Sequence, residues 1–189
     1  MKDIVHYLSA PSASKVLVLY GLRRTGKTEL MWQAVNRLLG KGVSPQNIVF
    51  YEVKHRDDID DVIAVANRLV AEGVKYIFID EATYAKGFIS SAHILSDRLA
   101  GRGVHITLAG TDPLLFHITR QRTLFDRCFI VHTTRLTYAE YCRVMGNVSV
   151  AAYIRSGGVF SRGTADEYVR NAVVENVYNS LHATVWALT

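Results

Sequence analysis

Residues 16–30 read VLVLYGLRRTGKTEL, and this stretch constrains the fold of the chain more than any other. A short apolar run ends at Gly21, and a helical pattern begins directly after Gly26. The residues between match the pattern G-x-x-x-x-G-K-[ST]. Glycine at both ends permits backbone angles that a Cβ would forbid, so successive N–H groups can turn inward onto a phosphate. The sequence therefore predicts a strand, a phosphate-binding loop and a helix, in that order.

Two side chains at the end of this pattern carry its chemistry. Lys27 brings a positive charge to the β- and γ-phosphates of a nucleotide, and the Thr28 hydroxyl can ligate Mg²⁺. The N-terminal end of the following helix adds a partial positive charge. We expect ATP as the nucleotide, since the chain has no Asn-Lys-x-Asp motif for reading guanine. The residues expected to bind it are Gly21, Leu22, Arg23, Arg24, Thr25, Gly26, Lys27, Thr28 and Glu29.

The rest of the chain alternates between apolar runs and helical patterns. The apolar runs predict strands at residues 15–20, 47–53, 75–81, 104–110 and 128–133. Helical patterns are predicted at residues 27–39, 86–100 and 114–120, and also from the aspartates near residue 58. Alternating strands and helices of this kind form an α/β domain around a parallel sheet. We therefore expect a doubly wound five-stranded parallel sheet.

Four of the five residues from 57 to 61 are aspartates, and the cluster has two interpretations. A group of carboxylates can bind a metal ion. The same residues also precede an amphipathic helical pattern, so that Asp57 or Asp58 can cap the helix while the others lie in its first turn. We prefer the capping interpretation.

A second acidic group, Asp80-Glu81, ends the third predicted strand. Ligands of open α/β sheets lie at the carboxyl ends of the strands. Asp80 is expected to hold Mg²⁺ through a coordinated water, and Glu81 to polarise the water that attacks the γ-phosphate. Each residue also has an alternative interpretation. Asp80 could be an exposed carboxylate at a strand end, and Glu81 could sense the nucleotide without fast hydrolysis.

Thr111 directly follows the fourth predicted strand, and it also has two interpretations. A polar side chain at this strand end would face the γ-phosphate from the side opposite Lys27, as a sensor of the nucleotide. Thr111-Asp112-Pro113 is equally a good start for a helix, in which case the threonine has a capping role.

Composition places the chain among ordinary globular proteins, with 189 residues, 49% of them hydrophobic and 21% charged. No apolar run approaches the roughly 18–20 residues that span a bilayer, and the N-terminus makes a poor signal peptide. Cys128 and Cys142 are too few for a disulfide framework, which fits a reduced cytosol. We expect a cytoplasmic protein without membrane contact. The net charge of +5 permits a nucleic-acid partner without requiring one.

This order of parts resembles the AAA+ and related ATPases, whose sheet order is 5-1-4-3-2 and whose sheet is followed by a helical lid. More narrowly it resembles the archaeal-type ATPase family. Paired arginines in the phosphate loop are common in that family, as at Arg23 and Arg24 here. Residues 108–111, 126–127, 135–141 and 156–160 stand where that family has a strand ending TGSS, a Gly-Arg pair, a PLSFREF segment and a GGFP turn.

Helical patterns at residues 137–144, 150–154 and 165–182 follow the last predicted strand. The resemblance implies an ATPase core over residues 1–135 and a small helical lid over 136–189. Arg127 stands where the family has an arginine that reaches a γ-phosphate, in cis or from a neighbouring subunit; the alternative is a structural arginine. The expected catalytic residues are Lys27, Glu81, Thr111 and Arg127. The expected metal ligands are Thr28 and Asp80.

Magnesium-dependent binding and hydrolysis of ATP, driving a conformational switch, is the function that these features predict. A nucleotide-gated protein-interaction module with little turnover and a nucleic-acid-associated ATPase are the alternatives. Members of the family are longer and carry a C-terminal nuclease-like or winged-helix portion. We therefore expect the chain to be a fragment, with a further C-terminal domain or a second copy as a partner.

Overall fold

The computed structural model describes residues 1–10 and 14–156, apart from the side chains of residues 113–115. The strands are β1 (Val16–Tyr20), β2 (Ile48–Glu52), β3 (Tyr76–Asp80), β4 (His105–Gly110) and β5 (Cys128–His132). The α-helices are α1 (Lys2–Ser9), α2 (Lys27–Gly40), α3 (Ile59–Ala71), α4 (Phe88–Ser91), α5 (Pro113–Arg122), α6 (Tyr138–Met145) and α7 (Val150–Ser156). Each predicted strand agrees with an observed one to within one residue at both ends.

The five strands form one parallel sheet in the order β2-β3-β4-β1-β5. The doubly wound α/β fold and the strand order expected from the resemblance are thus confirmed. This order puts β1 in the interior of the sheet, between β4 and β5. The loop that follows β1 therefore leaves the carboxyl edge of the sheet with the ends of two other strands beside it.

Side chains of successive strand residues point to opposite faces of the sheet, and each face has its own core. Val16 and Val18 pack with buried residues of α3, α4 and α5. Leu17 and Leu19 pack with α1 and α2 on the other face. Right-handed crossovers explain the division, because the chain runs one way along the sheet from β1 to β2 and the opposite way from β2 to β4.

The helix predicted over residues 86–100 is not continuous. It is divided into α4, a π-helical turn at Leu95–Leu99 and a 3₁₀ turn at Ala100–Arg102. The buried hydroxyl of Ser96 donates hydrogen bonds to the carbonyls of Ser14 and Arg127, at 3.1 and 3.3 Å. Ser96 thus joins this segment to the two stretches of chain that precede β1 and β5.

The remaining helices agree closely with the sequence pattern. Asp58 caps α3 and its side chain accepts a hydrogen bond from the backbone N–H of Asp60, so the capping interpretation of the aspartate cluster is confirmed. A capping box of Thr137 and Glu140 begins α6. The helix predicted at 165–182 and nearly all of the turn at 156–160 lie outside the described residues. Within the described part, no helix has the length and apolar character to cross a bilayer.

The side chain of Tyr7 joins helix α1 to the sheet through hydrogen bonds. The buried hydroxyl of Tyr7 lies 3.0 Å from the carbonyl oxygens of Lys15 and Ile106, and it accepts a hydrogen bond from the Ile106 N–H at 3.0 Å. Burial raises the pKa of Tyr7, which keeps this hydroxyl protonated. Tyr7 thus bonds the backbone of β4 just before the ladder between β1 and β4 begins, at Leu17 and Thr107.

Replacing Tyr7 by phenylalanine tests this role. The ring would still fill its place, but the N–H and C=O of Ile106 would lose their partner while remaining buried. We expect the free energy of unfolding to fall by about 1–3 kcal/mol, measured by urea denaturation.

Tyr51→Phe is the control, because the Tyr51 hydroxyl bonds Asp57 at 3.2 Å in a less buried place, where water can replace the hydrogen bond. Its expected loss is below about 1 kcal/mol. Equal losses for the two variants would contradict the role given to Tyr7.

Candidate functional site

The phosphate loop spans residues 21–26 between β1 and α2. Gly26 precedes the helix with φ of 87°, a left-handed angle that favours glycine. At the other end of the loop, a Cβ on Gly21 would overlap the carbonyl oxygen and the hydroxyl of Thr133. Gly26 is therefore required for its backbone conformation, and Gly21 is required because a side chain there would have no space.

Lys27 is buried at the start of α2. Its ammonium group donates hydrogen bonds to the carbonyls of Gly21 and Leu22, at 3.0 and 2.9 Å. Burial lowers the pKa of Lys27, while the nearby carboxylates of Glu81 and Asp80 raise it. An ammonium has three N–H donors, so the two carbonyls hold the group above the loop and leave a donor for an incoming phosphate.

Thr28 and Asp80 meet although 52 residues separate them. The Thr28 hydroxyl donates to Asp80 Oδ2 at 2.6 Å, and Asp80 Oδ1 accepts a hydrogen bond from the Glu81 N–H at 3.0 Å. Asp80 is buried, which excludes the alternative of an exposed strand-end carboxylate. A hydroxyl and a carboxylate supply the hard oxygen ligands that Mg²⁺ prefers, so this pair fits the metal that the sequence predicts.

Glu81 follows Asp80 with a backbone angle φ of 51°, in the left-handed region. A residue other than glycine held there costs roughly 1–3 kcal/mol and persists only where its surroundings fix it. The main fixed contacts are the bond from its N–H to Asp80 and a 2.9 Å bond from the Tyr84 N–H to its carbonyl. Burial raises the pKa of Glu81, with Asp80 adding to the rise and Lys27 opposing it.

Thr111 lies beside Glu81 at the end of β4. Its buried hydroxyl donates to Glu81 Oε2 at 3.3 Å. Helix α5 begins two residues later, at Pro113. The Thr111 side chain thus contacts Glu81, the acidic residue of the site, and its role as a sensor stays a prediction.

The other predicted residues of the loop surround this centre. The Thr25 hydroxyl donates to the Leu22 carbonyl at 2.8 Å, and the charge of Arg23 acts on both Lys27 and Glu81. Arg24 is exposed and has φ of 63°. Glu29 is also exposed, one turn into α2, where it accepts a 2.9 Å hydrogen bond from Gln33.

Arg127 is not brought to this site. It directly precedes β5 and its carbonyl accepts a hydrogen bond from Val16 N–H, at the amino edge of the sheet, opposite the phosphate loop. Five residues of β1, roughly 16 Å, separate the two edges. Its guanidinium pairs with Asp97 at 2.7 Å. The expected contact of Arg127 with a phosphate in cis is therefore corrected: within its own chain it is a structural arginine. A contact from a neighbouring subunit stays a prediction.

Two residues of the site were missed in the sequence. The Thr133 hydroxyl lies 2.7 Å from that of Thr25, and the Thr133 N–H donates to the Tyr20 carbonyl at 2.8 Å. The expected strand order put the end of the fifth strand beside the loop, which was a usable signal for Thr133. Tyr84 is the second: its backbone N–H donates to the Glu81 carbonyl at 2.9 Å, and no motif pointed to it.

Comparison with known proteins agrees with this geometry. Among solved structures, the S. cerevisiae Hsp104–ADP complex is similar with a TM-score of 0.57 and 16% sequence identity. The similarity covers 82% of this chain and 24% of the Hsp104 chain, so the chain spans about a quarter of that protein's length. At this identity the likeness concerns the fold. No curated protein sequence matches the chain.

The family model described as AAA domain matches residues 13–142. These residues run from the segment before β1 into α6, and they include the phosphate loop, Asp80, Glu81 and Thr111. The match covers well over half of the chain and agrees with the sheet order and with the phosphate loop on β1. The chain therefore belongs to the AAA domain family and is a P-loop ATPase of the AAA+ type.

Proposed function

We propose that this chain binds ATP with Mg²⁺ and hydrolyses it, and that the state of the nucleotide changes how the sheet domain contacts the helices after residue 135. The observation that carries the proposal is the convergence of four side chains at one edge of the sheet: Lys27, Thr28, Asp80 and Glu81. Lys27 and Thr28 follow β1, while Asp80 and Glu81 lie at the end of β3. The two strands are separated by β4, and the 2.6 Å contact between Thr28 and Asp80 joins the two sets.

The phosphate loop is proposed to bind the triphosphate. Backbone N–H groups between Gly21 and Gly26 and the start of α2 supply oriented partial positive charge. Lys27 supplies a full positive charge in a buried position, where Coulomb attraction to a phosphate is stronger than in water. Arg23 adds charge on the same side, as its influence on Lys27 and Glu81 indicates.

The expected metal ligands are the Thr28 hydroxyl and Asp80. When bound, Mg²⁺ would neutralise charge on the phosphate oxygens. Asp80 is held for this purpose by its bond from the Glu81 N–H, which fixes the direction of the carboxylate. We therefore assign ion binding to these two side chains and the orientation of Asp80 to the backbone of Glu81.

Glu81 is proposed to orient and polarise the attacking water. A carboxylate does this from a fixed position within hydrogen-bond reach of the water, and the backbone contacts of Glu81 together with Thr111 provide that position. Thr111 is proposed to report the presence of the γ-phosphate to Glu81. The link to the lid is proposed to run through Thr133, since it contacts Thr25 and stands four residues before the cap of α6.

The direct experiment is Glu81→Gln. The amide has the same shape but does not accept a proton from water, so phosphate release should fall about 100-fold or more while ATP binding is kept. Release is measured with a phosphate sensor, and binding with a fluorescent ATP analogue. Glu72→Gln, at the exposed end of α3 where Glu72 pairs with Arg68, is the control and should match the unaltered chain.

The outcomes separate the functions considered. Unaltered release in Glu81→Gln would remove the role given to Glu81. ATP binding without measurable release in the unaltered chain would instead favour the nucleotide-gated interaction module.

Asp80→Asn tests the ion site. The unaltered chain should bind ATP more tightly with Mg²⁺ than with EDTA, and Asp80→Asn should lose most of this difference, because an amide oxygen carries no net charge for the ion. Titration of ATP under both conditions measures the ratio. A variant that keeps the full Mg²⁺ effect would move the ion site away from Asp80.

Gly21→Ala tests the closed packing of the loop. The added Cβ meets the backbone of Thr133, which directly follows β5 and whose N–H is bonded to the Tyr20 carbonyl. We expect ATP affinity to fall at least about tenfold, or about 1.4 kcal/mol. Gly101→Ala is the matched control, because a Cβ there has nothing within 4 Å. Unchanged affinity in Gly21→Ala would show that the loop opens freely.

A further inference from the structure

A cavity of about 610 Å³ lies at the amino edge of the sheet, opposite the phosphate loop. It is bounded by the ends of α1 and α2 and by the segments that lead into β3 and β4. We call it the amino-edge cavity. The lining residues that carry the argument are Ser9, Lys41, Lys75, Tyr76, Arg102 and His105. Cavities of this size hold small molecules in other proteins, and none of these residues belongs to the proposed nucleotide site.

The amino-edge cavity is positively charged. Its lining includes Lys41, Lys75 and Arg102 and contains no aspartate or glutamate. The Lys41 ammonium donates a hydrogen bond to the Ser9 hydroxyl at 3.0 Å. The side chains of Lys75 and Arg102 have no ion pair or hydrogen bond within residues 1–10 and 14–156. The described carboxylates therefore leave this charge unpaired, and an anion from solution can pair with it.

His105, the first residue of β4, forms one wall of the cavity and is only 6% exposed. Its Nδ1 is enclosed by protein without a hydrogen-bond partner; Nε2 is not enclosed, and the described part of the chain gives it no partner either. Tyr76 stacks on the ring with centroids 5.1 Å apart, and Tyr7 contacts it edge to face at 5.4 Å. Burial lowers the pKa of His105, so the ring is neutral and has one N–H donor.

Buried polar groups without a partner are rare in folded proteins. The His105 ring is held rigidly by two aromatic neighbours, and its accessible nitrogen has no protein partner. A ligand in the amino-edge cavity is a partner that this ring can reach.

We propose that the amino-edge cavity binds a small phosphorylated molecule, whose phosphate oxygens pair with the cations of the lining and accept a hydrogen bond from His105. Phosphate oxygens suit these residues, because an ammonium supplies a point charge and a guanidinium supplies a planar pair of donors. One or two phosphate groups, each of about −1.5 to −2 charge at pH 7, balance the charge of Lys41, Lys75 and Arg102. The site is separate from the nucleotide site and does not rest on the proposed function.

Ordinary surface roles explain only part of this arrangement. Lys41 lies at the C-terminal end of α2, where a cation interacts favourably with the helix dipole. That role does not apply to Lys75, which precedes a strand, and it gives no partner to His105. An anion in the cavity accounts for all three residues together.

The shape of the site favours a small ligand over a nucleic acid. Nucleic-acid backbones bind to basic stripes or patches on an open face of a protein. Here the cations surround a concave cavity, and the nearly buried ring of His105 is reached by a group that enters it. A small phosphorylated molecule can enter and contact the cations and the imidazole at once.

Pyrophosphate is the probe, and isothermal titration calorimetry measures its binding at about 0.15 M salt without Mg²⁺. The titration uses Lys27→Ala, which removes the cation of the phosphate loop, so that binding at the loop does not mask the cavity. We expect one equivalent of pyrophosphate to bind to this variant. Adding Lys75→Ala and Arg102→Ala should lower the affinity at least about tenfold, since each exchange removes a charge-assisted contact. Adding Lys54→Ala and Arg56→Ala is the matched control, because both side chains are exposed and lie outside the cavity.

Three outcomes of this titration would overturn the proposal: no binding to Lys27→Ala, an unchanged affinity in the cavity variant, or an equal loss in the control. The unaltered chain gives a second measurement that does not depend on the folding of Lys27→Ala. In its NMR spectra, pyrophosphate should shift the backbone amide signals of Gly103 and His105 in addition to those of the phosphate loop. Shifts confined to the loop would also overturn the proposal.

His105→Phe tests the imidazole. The variant keeps a flat ring for the contacts with Tyr7 and Tyr76 but removes both nitrogens. We expect the affinity for pyrophosphate, measured in the Lys27→Ala chain, to fall about three- to tenfold, the worth of one hydrogen bond. The free energy of unfolding should be unchanged or raised, because an unpartnered nitrogen leaves the interior. An unchanged affinity would overturn the role given to His105.

A single-stranded DNA oligonucleotide separates the two classes of ligand, with binding measured by fluorescence anisotropy. We expect it to bind Lys27→Ala more weakly than pyrophosphate does. Tighter binding that Lys75→Ala and Arg102→Ala abolish would assign the cavity to nucleic acid and overturn the proposal of a small ligand. The proposed function fails separately: a chain that binds no ATP, yet binds pyrophosphate in the cavity, would overturn that function and support this inference.

Discussion

The site depends on the hydrogen bond between Thr28 and Asp80, because it joins parts of the sheet that are not adjacent. The loop and α2 follow β1, the carboxylate ends β3, and β4 lies between these strands. The contact requires the carboxyl ends of these three strands to lie together at one edge of the sheet. Register in the sheet is set by buried side chains on both faces, such as Leu19 and Ile79. Core packing is therefore what places the two halves of the site.

Burial gives these polar groups their properties. Lys27 and Asp80 are both nearly inaccessible, and a buried charge needs partners. In this chain the partners are loop carbonyls for Lys27, and a hydroxyl and a backbone N–H for Asp80. Every one of these contacts also restricts the loop or the turn after β3. The same interactions that compensate for desolvation thus preorganise the site, which is the main requirement for phosphoryl-transfer catalysis.

The fold holds Glu81 in a backbone conformation that a glutamate disfavours. Its left-handed backbone is unfavourable for a glutamate, and its carboxylate lies beside that of Asp80. A glycine would adopt this conformation more easily but would lack the carboxylate that we propose to polarise water. Strain of this kind is expected where function and local preference conflict. The turn that Tyr84 closes and the Thr111 hydroxyl hold Glu81 in this conformation.

The sequence by itself determined the strands, the phosphate loop and the Asp80-Glu81 pair, because local rules govern them: apolar runs, glycines at fixed spacing and acidic residues at a strand end. It also determined the cap at Asp58, since capping involves neighbours in the chain. Only the tertiary structure decided the places of Arg127 and Thr133. Arg127 lies at the edge of the sheet opposite the phosphate loop, and Thr133 contacts that loop from the end of β5. Such contacts depend on where separate elements end in space, which no local pattern encodes.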